Sequence, residues 1–205
     1  ELNKVIDKIS GYEFEILFVN DGSSDNTLNI LRDLRKRDSR VNYISFSRNF
    51  GKETAMAAGF DYVTGDATVI LDADLQDPPE LIEEMIFYWE KGYDDVYAKR
   101  RSREGETWLK KFTSAAFYKL LRKMTKIPIQ EDTGDFRLLD RRAIESLKKL
   151  REKQRYTKGM FSWIGFNKKE ILFDRKPRAA GKTKWNYLKL FNLALEGVTS
   201  FTTSP

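Results

Sequence analysis

Ala67-Thr68-Val69-Ile70-Leu71-Asp72-Ala73-Asp74-Leu75-Gln76-Asp77-Pro78-Pro79 reads as an apolar strand that runs out into acid. Its first five residues are apolar enough for the centre of a sheet. Three carboxylates and an amide follow within six residues. Pro78-Pro79 then opens a helix, since proline is tolerated in a first turn. Clustered carboxylates repel one another unless a proton or cation relieves them. Hard oxygen donors suit Mg²⁺ or Mn²⁺, and open parallel sheets bind ligands beyond the carboxyl ends of their strands. The plainer alternative is an acidic helix N-terminus, with Asp77 and Glu80 favouring the dipole. An EF-hand is excluded, because Asp77 stands where that loop requires glycine.

Outward from this stretch, strand-like runs alternate with helical ones. Glu15 to Asn20 reads as a buried strand ending at the turn Asp21-Gly22-Ser23-Ser24, after which Ser24 or Asp25 caps a helix to about Arg37. Val41 to Phe46 is a second strand, and Lys52 to Val63 a helix closed by Gly65. The helix opened by Pro78-Pro79 ends at Gly92, and Tyr93 to Ala98 is the fourth strand. This βαβα order predicts an α/β, Rossmann-like domain: a mainly parallel sheet with helices on both faces. The second half is less regular. It reads as a long basic helix over about 106–126, a loop over 127–135, a short strand at Phe136–Leu139 and a helix at Arg141–Leu150. A strand at Glu170–Phe173 and a last helix from about Lys184 to Val198 complete it.

The 205 residues, 40% hydrophobic and 13% aromatic, suffice for a sizeable core and argue against disorder. The absence of cysteine excludes disulfides, thiolate metal sites and cysteine nucleophiles. The absence of histidine removes the commonest general base and zinc ligand. Catalysis must therefore use carboxylates, basic side chains, backbone donors or an oxygen-bound metal. A net charge of +6 fits a solvated surface, a phosphate-bearing ligand or an anionic membrane. No nucleic-acid-binding motif is found, so nucleic acid is not an expected partner. No signal peptide opens the chain, and no apolar run approaches the roughly 20 residues of a membrane span.

Two other strand ends are polar. Asp21-Gly22-Ser23-Ser24-Asp25 is either a capped turn or a carboxylate presented to a ribose or base. Arg48-Asn49-Phe50-Gly51-Lys52 offers two cations and a glycine, but it is not a P-loop, because Phe46 replaces the first glycine. Three successive strand ends with polar clusters weigh more than any one of them. Lys99-Arg100-Arg101, Arg175-Lys176-Pro177-Arg178 and Gly181-Lys182-Thr183-Lys184 are either solvated charge or a clamp for donor and acceptor phosphates.

Taken together, Val-Asn-Asp-Gly-Ser-Ser-Asp (19–25), Ser-Arg-Asn-Phe-Gly-Lys-Glu (47–53), Asp-Ala-Asp-Leu-Gln-Asp-Pro-Pro-Glu (72–80), Gly-Asp-Phe-Arg-Leu (134–138) and Leu-Ala-Leu-Glu-Gly-Val-Thr-Ser-Phe (193–201) resemble the family 2, GT-A-fold glycosyltransferases. The resemblance is to the polyprenyl-phosphate enzymes of the bactoprenol glucosyltransferase and dolichol-phosphate mannose synthase type. It implies that Asp21, Arg48, Lys52 and Asp72 meet the donor nucleotide, with Asp21 at the base or ribose. Asp72, Asp74 and Gln76 would serve a metal, Mg²⁺ or Mn²⁺, and the donor diphosphate. Arg100, Arg137, Arg178 and Lys182 would face phosphates, the lipid acceptor's among them. Asp135 and Arg137 would stand at the reacting centre.

The implied reaction moves a sugar, glucose the expected one, from a UDP-sugar to polyprenyl phosphate at the cytoplasmic face of the membrane, with inversion. Transfer to a glycan or protein hydroxyl, and a non-catalytic nucleotide-sugar or membrane-docking module, stay open. So does a homo-oligomer. Relative to the family, the chain is expected to begin after a first strand carrying Pro-x-Tyr-Asn-Glu. Residues 1–180 are expected to form the catalytic domain. Residues 181–205 are expected to form an amphipathic helix at the membrane surface, leading to transmembrane helices.

Overall fold

A computed structural model describes residues 1–74, 76–101, 133–150 and 157–174. The helices expected over 106–126 and 184–198, the basic loop over 175–184 and the whole of 181–205 lie outside these residues.

The first half follows the hydrophobic pattern closely. Its elements are α1 (Leu2–Ile6), β1 (Ile16–Asn20), α2 (Thr27–Arg37), β2 (Val41–Ser45), α3 (Lys52–Tyr62), β3 (Ala67–Ile70), α4 (Leu81–Glu90) and β4 (Asp95–Arg100). The N-cap of α2 is Asn26, one residue past the expected Ser24 or Asp25, and its side chain makes no capping bond; the Asp25 carboxylate before it accepts the Thr27 backbone N–H at 3.0 Å in a turn that leads into the helix. Gly92, with φ 88°, turns the chain out of α4. Four described elements follow: β5 (Thr133–Asp140), α5 (Arg141–Lys149), α6 (Thr157–Trp163) and β6 (Lys168–Phe173).

β1 and β2 pair in parallel, Ile16 opposite Val41. A second sheet has the order β3-β5-β4-β6. In it β3, β4 and β6 run one way, and β5 runs against both of its neighbours. The loop expected through Asp135 is a correction: β5 begins at Thr133, opposite Lys99 of β4, and from Arg137 to Leu139 it wedges between β3 and β4, with partners on both edges. Tyr97 pairs with Arg137 and Lys99 with Thr133, so two steps along β4 face four along β5. The surplus residues around Asp135 form a bulge, a device that re-aims side chains at strand ends.

Alternation along β5 divides its side chains between two cores. Phe136 and Leu138 join Val96, Ala98, Ile171 and Phe173 beneath Ile82, Met85 and Ile86 of α4. Those three α4 residues recur at helical spacing, and Met85 is completely buried. Leu139 faces the other way, onto Ala143, Ile144 and Leu147 of α5, Met160 and Phe161 of α6, and Phe60 of α3. Helices therefore cover both faces, as the βαβα pattern requires.

Among the described residues β1 pairs with β2 alone, and β3 with β5 alone. The apolar residues of these two strands stay half-buried, whereas β4 and β5, paired on both sides, are mostly sealed.

Candidate functional site

The ends of β1, β2 and β3 come together through the N-terminus of α3. Past β1, Asn20 is buried; its amide donates to Ser45 Oγ at 3.1 Å and its Oδ1 accepts the Ser23 N–H at 3.1 Å. Gly22 sits at φ 65°, and a Cβ there would lie 2.2 Å from the Arg48 carbonyl carbon, so only glycine lets the two loops cross. Asp21 fastens the crossing. Its carboxylate accepts the Phe50 N–H at 2.7 Å, the Gly51 N–H at 2.9 Å and the Asn49 amide at 2.8 Å. Three of about four acceptor positions are thus committed to the loop, which leaves one for a ribose or base. Arg48 lies over the Phe50 ring at 3.9 Å, and Phe50 is itself exposed and braced edge-on by Phe46.

Lys52 is the junction. Its Nζ lies 2.8 Å from Asp72 Oδ1 and 2.9 Å from Asp72 Oδ2, at the end of β3. It also lies 2.6 Å from Asp135 Oδ2, on the bulge of β5. Burial alone would lower the Lys52 pKa, but the charges of Asp135 and Asp72 outweigh it and hold the ammonium above its ordinary value. Two residues beyond Asp72, the Asp74 carboxylate accepts the Gln76 N–H at 3.1 Å and tightens the acidic turn. Asp77 is buried in the same turn. Among the described residues, no group of three or more acids converges as a protein-only metal cage. Asp72, Asp74 and Gln76 offer oxygen donors on one turn, which fits Mg²⁺, an ion held by one or two carboxylates plus substrate phosphates.

Arg137, expected at the reacting centre and against phosphates, is completely buried two residues inward from Asp135. Its Nη1 reaches both oxygens of the buried Asp95, at 3.2 and 3.0 Å, and its guanidinium stacks on the Phe161 ring at 3.8 Å. Lys168 lies 3.4 Å from the same Asp95 and donates to the Phe161 carbonyl. Burial lowers the Lys168 pKa, with Asp95 opposing. The cause is strand geometry: β5 is central, so its inward positions are roofed by α5 and α6. Arg100 is half-buried at the end of β4, in phase with Val96 and Ala98 and opposite Phe173 of β6. Arg178 and Lys182 lie outside the described residues.

Sequence reasoning missed Asn20, Asn49, Asp95 and Lys168. Asp95 had a signal, a second acid at the mouth of an apolar strand. The loop-locking roles of Asn20 and Asn49 depend on a crossing that sequence does not show. A surface depression of about 500 Å³ lined by Glu15, Leu17, Arg35 and Tyr62 lies by the start of β1, away from these acids, and we do not take it as the site.

A family model described as glycosyl transferase family 2 matches residues 2–148. Over 192 residues, 94% of this chain and 60% of the relative, the chain is 53% identical to an uncharacterized glycosyltransferase of Synechocystis sp.. Over 199 residues, 97% of this chain and 65% of the relative, it is 46% identical to a prophage bactoprenol glucosyl transferase homolog of Escherichia coli. The same 46% holds against the bactoprenol glucosyl transferase of Shigella phage SfX, again over 97% of this chain and 65% of the relative. The chain thus spans 60–65% of the length of these relatives. Among solved structures, one titled as a mycobacterial protein matches with TM-score 0.60 at 16% identity, covering 100% of this chain and 70% of that one. Residues 1–349 of Staphylococcus aureus TarS match with TM-score 0.50 at 13% identity, covering 86% of this chain and 55% of that one. These likenesses bear on fold alone and agree with the mixed sheet covered on both faces. An acidic turn past β3, a glycine crossing past β1 and a lysine that ties the acidic turn to β5 thus lie on the α/β, GT-A frame, and the chain belongs to glycosyl transferase family 2.

Proposed function

We propose that the whole protein transfers glucose from a UDP-sugar to a polyprenyl phosphate, inverting the anomeric carbon, at the cytoplasmic face of a membrane. The observation that carries this reading is the joining of Asp72 and Asp135 by Lys52 at the carboxyl ends of β1, β2 and β3. The bactoprenol glucosyl transferase relatives at 46% identity support the acceptor.

In this reading Asp72, Asp74 and Gln76 hold Mg²⁺ or Mn²⁺. When bound, the metal offsets charge on the departing diphosphate. The chain's own groups do the rest. The Asp21 lock fixes the β2–α3 loop so that Arg48, Phe50 and Lys52 face the donor from a rigid base. Asp135 is mostly shielded, with its side chain 15% exposed, and it orients the acceptor phosphate or takes its remaining proton. A phosphate monoester is largely ionised near neutrality, its second pKa being about 6. The nucleophile therefore needs little deprotonation, and a chain without histidine can act through positioning and charge. Arg178 and Lys182 serve phosphates in this proposal, and 181–205 serves attachment to the membrane surface. No helix among the described residues is long and apolar enough to cross a membrane.

The test offers the full-length protein a panel of nucleotide-sugars with polyprenyl phosphate and, separately, with glycan and peptide hydroxyl acceptors. Glucosylated lipid phosphate formed from UDP-glucose is the expected product. Transfer only to a hydroxyl acceptor, or no transfer from any donor, contradicts the proposal.

A further inference from the structure

Lys52 occupies an unusual place for an ammonium. It opens α3, where the helix dipole favours anions. It is kept there by contacts to both oxygens of Asp72 and to one of Asp135. Those two carboxylates come from different strands, β3 and the bulge of β5, so one cation spans three elements. Asp72 is also the acid at the mouth of the turn shared with Asp74 and Gln76. A divalent cation on Asp72 would meet a positive charge already in contact with the same two oxygens, and both cannot keep full contact.

We propose that Lys52 is a built-in counter-ion of Asp72, displaced when a divalent cation arrives together with the donor's diphosphate. The inference rests on reading Asp72 as metal-facing. The displaced ammonium stays tethered to Asp135 and turns to a diphosphate oxygen, which replaces the carboxylate it has lost. A metal alone must evict Lys52 without giving it a new anionic partner. A metal with diphosphate supplies that partner. Metal and nucleotide therefore bind cooperatively, and Lys52 is the element that couples them. By linkage the coupling is reciprocal.

The experiment counts bound Mn²⁺ by electron paramagnetic resonance, with and without saturating UDP. It compares the full-length protein with its Lys52→Met and Lys52→Arg forms, each checked for its urea unfolding midpoint. In the parent protein UDP should raise Mn²⁺ affinity about tenfold or more, within the usual range for coupled sites. Lys52→Met should bind Mn²⁺ more tightly than the parent without UDP, by about tenfold, and gain little when UDP is added. Lys52→Arg, which keeps the charge, should restore most of the coupling. Should Lys52→Met fail to fold, Lys52→Gln carries the same comparison. Unchanged or weaker Mn²⁺ binding by a folded Lys52→Met without UDP overturns the displacement. No Mn²⁺ bound by any form, even with UDP, overturns the metal-facing reading of Asp72 and the displacement with it.

Discussion

Two clusters of the same chemistry lie two residues apart on β5. At Asp135, Lys52 joins two carboxylates whose side chains are 38% and 15% exposed. At Arg137, the guanidinium and the Lys168 ammonium share one carboxylate, Asp95, that is wholly buried. The outer cluster has more acid than base, sits on a bulge and faces the strand ends. The inner one has more base than acid and is roofed by Phe161. Exposure, not residue type, separates the outer cluster, where phosphates are proposed to exchange with carboxylates, from the inner one within the sheet. A sealed ion pair adds little stability by existing, yet breaking it strands a charge.

The largest effect should come from the inner cluster. Asp95→Ala leaves Arg137 and Lys168 without their carboxylate and should cost about 3–5 kcal/mol of stability, read by urea unfolding. Wild-type stability with lost activity would erase the distinction between the clusters. At the outer cluster Asp135→Asn should do the reverse, lowering turnover about a hundredfold, the lower end of the range for a positioned acid–base group. Its unfolding midpoint should stay near that of the parent. Gly22→Ala, which forces a Cβ against Arg48 at positive φ, should cost about 1–3 kcal/mol and weaken UDP binding, as followed by thermal unfolding and calorimetry. The smallest effect belongs to a surface pair. The side-chain hydrogen bond from Arg40 holds Asp38 down to about 2. A lowered carboxylate pKa contributes stability above its unfolded value near 3.8, and that contribution is lost as pH falls toward about 2. Arg40→Ala should slightly flatten the acid limb of stability over that window and leave neutral pH almost unchanged.

Much of this arrangement was legible from residue order. β1, β3 and the acidic turn announce themselves because apolar runs end abruptly in Asp21 and Asp72. The turn that leads into α2, closed by the Asp25 carboxylate on the Thr27 N–H, follows from residue type, although the cap itself falls on Asn26. β5 was only half visible. Thr133-Gly134-Asp135 has weak strand propensity and is held in the sheet from the β4 side, where Thr133 stands opposite Lys99, a tertiary effect that no local pattern carries. The burial of Arg137 was hidden for a related reason: nothing within Gly-Asp-Phe-Arg-Leu announces the roof of α5 and α6 over its guanidinium. Asp21 stood at the expected strand end, but its ties to Phe50 and Gly51 depend on a loop crossing encoded in two distant segments.

The central claim is that the Lys52–Asp72–Asp135 cluster is the reacting centre and that the Arg137–Asp95–Lys168 cluster is scaffold. One measurement addresses it directly: glucosyl transfer from UDP-glucose to polyprenyl phosphate by the full-length protein and its Asp72→Asn form, with the unfolding midpoint taken on the same preparations. The account predicts that Asp72→Asn loses at least about a hundredfold in transfer while unfolding at the parent midpoint. Transfer that survives the substitution, or that falls only in step with stability, would contradict it.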